Sequence, residues 1–172
     1  MPDAEMLYRR SVCGPKPFCF LMNTDFRNFT PELVEKYMKR SLAYGMFPGF
    51  FSADASTGQY FQNPDLYNRD RPLFKKYIPL CKLIAEAGWK PVTLARSNDP
   101  KIYVEKFGEN YLTVFNDSKD HCETVIKLYS SIPAKSMDLV SGKEVKWSKG
   151  TDGSIEMPIG LDSEDVMLIR LK

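Results

Sequence analysis

The sequence predicts an α/β region followed by an all-β region, the latter a small antiparallel β-sandwich. Apolar runs alternate with helical patterns as far as residue 95, and short β-rich runs separated by turn residues follow. A length of 172 residues accommodates two small domains. We therefore predict boundaries at 1–95 and 96–172.

The composition is that of a globular protein and excludes several classes of partner. Hydrophobic residues make up 43% and charged residues 27%, with 24 basic and 22 acidic side chains. Such a balance, without a dense basic run, predicts no nucleic-acid partner. No run approaches the roughly 20 apolar residues of a membrane span, so no membrane partner is predicted. Residues 1–10 are polar and lack a secretory apolar run, and the sequence assigns no compartment.

Two apolar runs in the first half predict buried parallel strands. FCFLM spans residues 18–22 and MFPGFF spans 46–51, and both are apolar on each face. A helix is predicted between them, with Thr30 as its N-cap and Pro31 at its first position. Strand, helix and strand in this order favour a parallel pair with a right-handed connection.

A long polar and aromatic loop is predicted over residues 52–71, followed by a second helix. This helix is expected to begin near Asp70, with Pro72 just inside, and to end at Gly88. Pro79 lies within it and predicts a kink, because proline lacks the backbone N–H that the helix requires.

The second half contains eight strand candidates rich in β-branched and aromatic residues. Gly, Asn, Asp and Ser residues separate them and predict tight turns. The candidates are residues 92–95, 102–107, 111–115, 124–129, 137–140, 144–147, 155–159 and 166–171.

Several segments resemble the C-terminal part of glycoside hydrolases. They are KPFCFLMNTDF, YGMFPGFFSADA, the helical stretch NRDRPLFKKYIPLCKLIAEAGWKPVTLARS, the hairpin KIYVEKFGENYLTVFND, and the closing LVSGKEVKW and LDSEDVMLIRL. The resemblance implies a partial (β/α)₈ barrel segment followed by a β-sandwich. A closed barrel takes about 200 residues or more. It therefore also implies a fragment whose barrel is completed by a missing N-terminal region or a partner chain.

Two carboxylates follow the predicted parallel strands, Asp25 after the first and Asp54 after the second. Glycoside hydrolysis needs two carboxyl groups, and barrel enzymes carry them at the carboxyl ends of strands. The resemblance therefore makes Asp25 and Asp54 catalytic candidates. The alternative is that each is a turn residue, because Asp is favoured in turns.

The predicted loop offers groups that bind sugars, and carbohydrate is the predicted ligand. Aromatic faces and amides of this kind stack on and hydrogen-bond to sugars, and loops at strand ends often carry binding residues. The alternative is that the aromatic residues hold the loop in place. For the segment Arg69–Asp70–Arg71 we favour a structural role, in which Asp70 caps the helix and Arg69 or Arg71 pairs with a nearby carboxylate such as Asp65. The substrate-binding candidates are Tyr60, Gln62, Asn63, Tyr67 and Arg69.

No metal site or cofactor is predicted. The four cysteines show no zinc-like spacing, and neither GxGxxG nor GxxxxGK[ST] occurs. Cys19 and Cys81 lie in apolar runs and are predicted to be buried.

Three interpretations follow. The first is part of a carbohydrate-active hydrolase that is inactive alone, so that the chain is an enzyme only when completed. The second is a non-catalytic carbohydrate-binding or structural accessory module. The third is an ordinary α+β domain, in which the two early strands would join the later strands in an antiparallel sheet.

Overall fold

A computed structural model describes residues 3–52 and 58–172. The first part contains helix α1 (Asp3–Cys13), strand β1 (Cys19–Thr24), helix α2 (Pro31–Ala43), strand β2 (Phe47–Ser52) and helix α3 (Pro64–Ala87). Short 3₁₀ helices lie at Phe26–Asn28 and Tyr60–Gln62. The sequence patterns did not predict α1.

Nine strands follow α3 and form two antiparallel sheets. One sheet has five strands in the order β3-β5-β6-β11-β8, and the other has four in the order β4-β7-β10-β9. Their bounds are β3 Trp89–Lys90, β4 Ala95–Ser97, β5 Ile102–Phe107, β6 Tyr111–Asn116, β7 Cys122–Leu128, β8 Ser136–Asp138, β9 Ser148–Lys149, β10 Ile155–Leu161 and β11 Val166–Leu171.

Strands β1 and β2 pair in parallel, in register from Cys19 opposite Phe47 to Thr24 opposite Ser52. This confirms the predicted parallel pair and contradicts the ordinary α+β alternative. The predicted class, α/β followed by antiparallel β structure, is confirmed. The described residues contain no closed barrel, only this parallel pair.

The five-stranded sheet is buried on both faces because its side chains alternate between two cores. Phe115 and Leu168 point to the helices, whereas Val114 and Ile169 point to the four-stranded sheet. The Thr113 hydroxyl also reaches the helical layer, donating to the Ala43 carbonyl at 2.7 Å. The helical core therefore includes residues on both sides of position 95.

The start of α2 is confirmed, but that of α3 is not. The Leu33 backbone N–H donates to Thr30 Oγ1 at 3.2 Å, as expected of an N-cap. Helix α3 begins at Pro64 rather than near Asp70, and it continues through Pro72 and Pro79. The predicted loop is correspondingly shorter. Packing of the α3 apolar face outweighs the local cost of two prolines.

Three further predictions are wrong. Residues 92–94 form no strand, because β4 begins only at Ala95. Residues 144–147 form no strand either, and Glu144 makes only an isolated bridge to Met137. Cys81 is buried as expected, but Cys19 is exposed because nothing among the described residues covers its face of β1. All four cysteines, which lie in the described ranges, are free. Among the helices of the described residues, none combines the length and apolarity needed to cross a membrane.

Candidate functional site

The carboxyl ends of β1 and β2 lie side by side, because Thr24 is the register partner of Ser52. We call this place, with Asp25 on one side and Phe51 and residues 58–62 on the other, the strand-end edge. Asp25 directly follows β1, as the sequence predicted. Asp54 lies outside the described residues.

Asp25 begins a tight turn and is half-buried. Its carbonyl accepts a hydrogen bond from the Asn28 backbone N–H at 3.0 Å. Phe26 and Phe29, which follow, are 3% and 2% exposed and stack on each other at 5.3 Å. The turn is therefore anchored by aromatic packing. Its geometry is compatible with either role for Asp25, a turn residue or a reacting carboxylate.

A cluster of aromatic rings packs around Tyr60 at the strand-end edge. Phe50 of β2 stacks on Tyr60 with ring centroids 4.4 Å apart and an interplanar angle of 19°. Phe26, Phe29 and Phe74 contact the Tyr60 ring at 5.7, 6.0 and 5.9 Å. Tyr60 is therefore the central ring of the cluster, and contacts of this kind stabilise beyond their buried area.

The Tyr60 hydroxyl and the Arg69 guanidinium both bind the carboxylate of Asp70. Tyr60 Oη donates to Asp70 Oδ2 at 2.7 Å, and Arg69 Nε donates to Oδ1 at 2.7 Å. Asp70 is fully buried, whereas the Arg69 side chain is 32% exposed. Burial, followed by the hydrogen bond to Asp70, raises the pKa of Tyr60 well above its usual range.

This network corrects the predicted role of Asp70. Asp70 lies inside α3, so it does not cap the helix. Arg69 does pair with a nearby carboxylate, as expected, but the partner is Asp70 rather than Asp65. A signal for this was present in the sequence. With α3 beginning at Pro64, Asp70 falls on the same face as Leu73, Phe74 and Tyr77, which pack in the core.

The remaining predicted binding residues lie close together around the 3₁₀ helix. Gln62 Oε1 accepts from the Gln59 backbone N–H at 3.3 Å, and Asn63 Nδ2 donates to the Gln59 carbonyl at 2.8 Å. The Tyr67 ring packs on Phe61 and Phe74 at 5.6 and 6.2 Å. Each of these side chains thus helps to hold residues 58–62 in place. Their binding of sugar remains a prediction.

Two residues of opposite charge, Glu32 and Arg69, interact at the start of α2. The hydrogen bond to Asp70 raises the pKa of Arg69. The backbone N–H at the start of α2 and the Thr30 side chain lower the pKa of Glu32, and the positive charge of Arg69 contributes. The helix N-terminus favours negative charge, so Glu32 stays ionised here.

A cavity of about 340 Å³ opens at the strand-end edge. Phe51 was not predicted to line a cavity, because a residue at the end of an apolar run was expected to be buried. Phe51 is instead 56% exposed, and Phe61 on the opposite element is 64% exposed. The lining residues are Phe50, Phe51, Gly58, Gln59, Tyr60, Phe61 and Gln62.

No group of three or more metal-ligating side chains occurs among residues 3–52 and 58–172.

Comparison with solved structures finds proteins whose folds are similar to that of this chain. An Anoxybacillus α-amylase matches with a TM-score of 0.56 and 14% identity over 98% of this chain and 41% of its own. A GH27 β-L-arabinopyranosidase variant from Geobacillus stearothermophilus, in complex with arabinose, matches with a TM-score of 0.53 and 13% identity over 98% of this chain and 42% of its own.

A cyclomaltodextrin glucanotransferase with a three-domain distribution matches with a TM-score of 0.52 and 13% identity. The match covers 99% of this chain and 40% of the enzyme. The chain thus spans about two fifths of the length of these structures. No family model matches the sequence, and no curated protein does. At this level of identity the likeness shows the fold.

Proposed function

We propose that this chain is the C-terminal part of a carbohydrate-active glycoside hydrolase and supplies one side of its sugar site. The observation that carries the proposal is the in-register parallel pairing of β1 and β2, which brings their carboxyl ends together next to Asp25. Active sites of β/α barrels lie at that end of the strands. The likeness in fold to three carbohydrate-active enzymes supports it.

On this proposal, residues 1–95 are the terminal β/α units of a barrel and residues 96–172 are a β-sandwich domain behind it. The two sheets around one core support the second assignment, since Leu112 and Val114 of one sheet and Ile126 and Met157 of the other meet in it.

The uncovered face of the parallel pair supports completion by further strands. Cys19 and Leu21 are exposed on the face opposite the helices, and a Cβ on Gly49 would meet both side chains at 2.7 Å. Parallel sheets are normally covered on both faces, and a strand edge left open is a site for pairing. A missing N-terminal barrel region or a partner chain would cover this face.

The proposed chemistry uses two carboxyl groups, with Asp25 and Asp54 as candidates. One would protonate the leaving oxygen of the glycoside, and the other would act as nucleophile or as base toward water. Because other strands of the barrel would complete the site, we expect the isolated chain to lack hydrolase activity.

The test is turnover of a panel of aryl glycosides by protein containing the completing β/α units. We expect Asp25→Asn and Asp54→Asn to reduce kcat by at least about 100-fold, because proton transfer by a positioned group contributes about that much. Asp65→Asn is the matched control, since Asp65 is an exposed carboxylate in the first turn of α3. Unchanged turnover in Asp25→Asn and Asp54→Asn would remove both residues from the chemistry.

A non-catalytic carbohydrate-binding module is the second candidate, and the exposed rings of Phe51 and Phe61 at one cavity favour it. This candidate requires sugar binding by the isolated chain and no turnover by the completed protein. The glycoside panel therefore distinguishes the two candidates.

A further inference from the structure

The cavity at the strand-end edge has the dimensions of a small-ligand site. Its volume of about 340 Å³ lies at the lower end of the range for such sites, roughly 300–1,000 Å³. A site of this size accommodates one ring of a carbohydrate rather than a long segment of it.

Two phenylalanine side chains that line this cavity are exposed to solvent. Large apolar side chains of this kind are more often buried. Phe51 comes from the end of β2, and Phe61 comes from the 3₁₀ helix at Tyr60–Gln62. They expose 56% and 64% of their surface. Neighbouring exposed apolar groups in a concave surface mark a binding site, because leaving them in water costs free energy.

The Phe61 ring is held by three neighbouring aromatic rings. It contacts Tyr60 at 5.2 Å, Tyr67 at 5.6 Å and Phe74 at 6.1 Å, so its position is fixed by packing. The rest of the ring faces solvent, as its exposure shows. A ring that is already ordered before binding loses little conformational entropy when a ligand stacks on it.

Polar groups lie beside the rings. The exposed side chains of Gln59 and Gln62 line the same cavity. The Gln59 backbone N–H donates a hydrogen bond of 3.3 Å to Gln62 Oε1, and this bond holds the two residues together. An apolar face with amides at its rim matches a sugar ring, which has C–H groups on its faces and hydroxyls around its edge.

We infer that the cavity at Phe51 and Phe61 is a subsite for one sugar ring, with the ring stacked on Phe61 and its hydroxyls near Gln59 and Gln62. This inference rests on the proposed function in its choice of carbohydrate as ligand. It adds Phe51 as a lining residue, and it makes Phe61 the stacking surface in place of the buried Tyr60.

Saturation-transfer NMR and titration with L-arabinose and D-glucose test the subsite in the wild-type protein and its variants. Phe61→Leu keeps an apolar side chain but removes the ring, and we expect it to weaken binding roughly fivefold, the effect of losing one aromatic contact. Phe61→Trp keeps a ring and is expected to retain binding. Phe51→Leu provides a second variant should Phe61→Leu fold poorly.

Tyr8→Leu is the matched control, because Tyr8 on α1 is 65% exposed, nearly as much as Phe61. Cyclohexanol, a ring with a single hydroxyl, is the control probe. Equal sugar affinity in wild type, Phe61→Leu and Phe51→Leu would overturn the inference, and so would tighter binding of cyclohexanol than of either sugar. Loss of turnover in Asp25→Asn together with unchanged binding in Phe61→Leu would reject the subsite and leave the hydrolase proposal standing.

Discussion

The Tyr60 hydroxyl donates a 2.7 Å hydrogen bond to the fully buried carboxylate of Asp70, joining the 3₁₀ helix at the strand-end edge to the second turn of α3. Tyr60 also carries the ring against which Phe50 of β2 stacks. One residue thus connects a strand end, a cavity wall and a long helix, so the shape of the cavity depends on this pair.

Removing the Asp70 carboxylate should destabilise the protein more than removing the Tyr60 hydroxyl. We expect Asp70→Ala to lower the free energy of unfolding by about 3 kcal/mol, because it leaves the buried Tyr60 hydroxyl and one side of Arg69 without their acceptor. Tyr60→Phe should cost about 1 kcal/mol, since Arg69 still satisfies the carboxylate. Urea unfolding of both variants gives the comparison, and an equal cost would contradict the central place of Asp70.

Gly45 is expected to tolerate no side chain. Its φ is +65°, and a Cβ there would lie 2.2 Å from Cε1 of Phe107, a ring that is 1% exposed. We therefore expect Gly45→Ala to cost about 3 kcal/mol, combining backbone strain with overpacking of a buried ring.

Gly142→Ala is the matched control for this substitution. Gly142 also has a positive φ, +72°, but an added Cβ meets nothing within 4 Å. There we expect only the cost of backbone strain, about 1 kcal/mol of stability. Thermal or urea unfolding measures the difference in stability between the two variants. Similar losses of stability would show that the Phe107 ring can move aside at little cost.

Glu105 should make the protein less stable as the pH rises. Trp89 Nε1 donates to Glu105 Oε2 at 2.5 Å, but burial outweighs this bond and the nearby Arg10 charge, so the pKa of Glu105 is raised above its usual 4.5. A raised pKa means that the folded state holds the proton more tightly. The associated stability is therefore full below pH 4.5 and is lost as the pH rises through the folded pKa.

Glu105→Gln keeps an acceptor for Trp89 but cannot ionise, so its stability should fall less steeply above pH 4.5 than that of the wild type. Urea unfolding between pH 4.5 and 7.5 measures this slope. Glu109→Gln is the control, because Lys90 and Lys106 lower the pKa of the exposed Glu109 and its effect has the opposite sign. Parallel pH profiles for wild type and Glu105→Gln would contradict the prediction.

Local patterns were sufficient for much of the fold. Thr30 and Pro31 marked the start of α2, and the runs apolar on both faces marked a parallel pair. The start of α3 was missed because Pro72 resembles a helix start in the sequence, whereas packing of the Phe74 and Tyr77 face carries the helix through it. At the candidate site, the position of Asp25 after β1 was predicted, but the pairing of Asp70 with Tyr60 was not.

The sequence by itself determined the alternation of apolar residues that builds the sheets, because that is a periodicity within a few residues. It also indicated the parallel order of β1 and β2, because strand, helix and strand follow one another along the chain. Only the tertiary structure decided that Tyr60 is buried while Phe51, Phe61 and Cys19 are exposed. The burial of an apolar side chain depends on which distant segment covers it, and no local spacing records that contact.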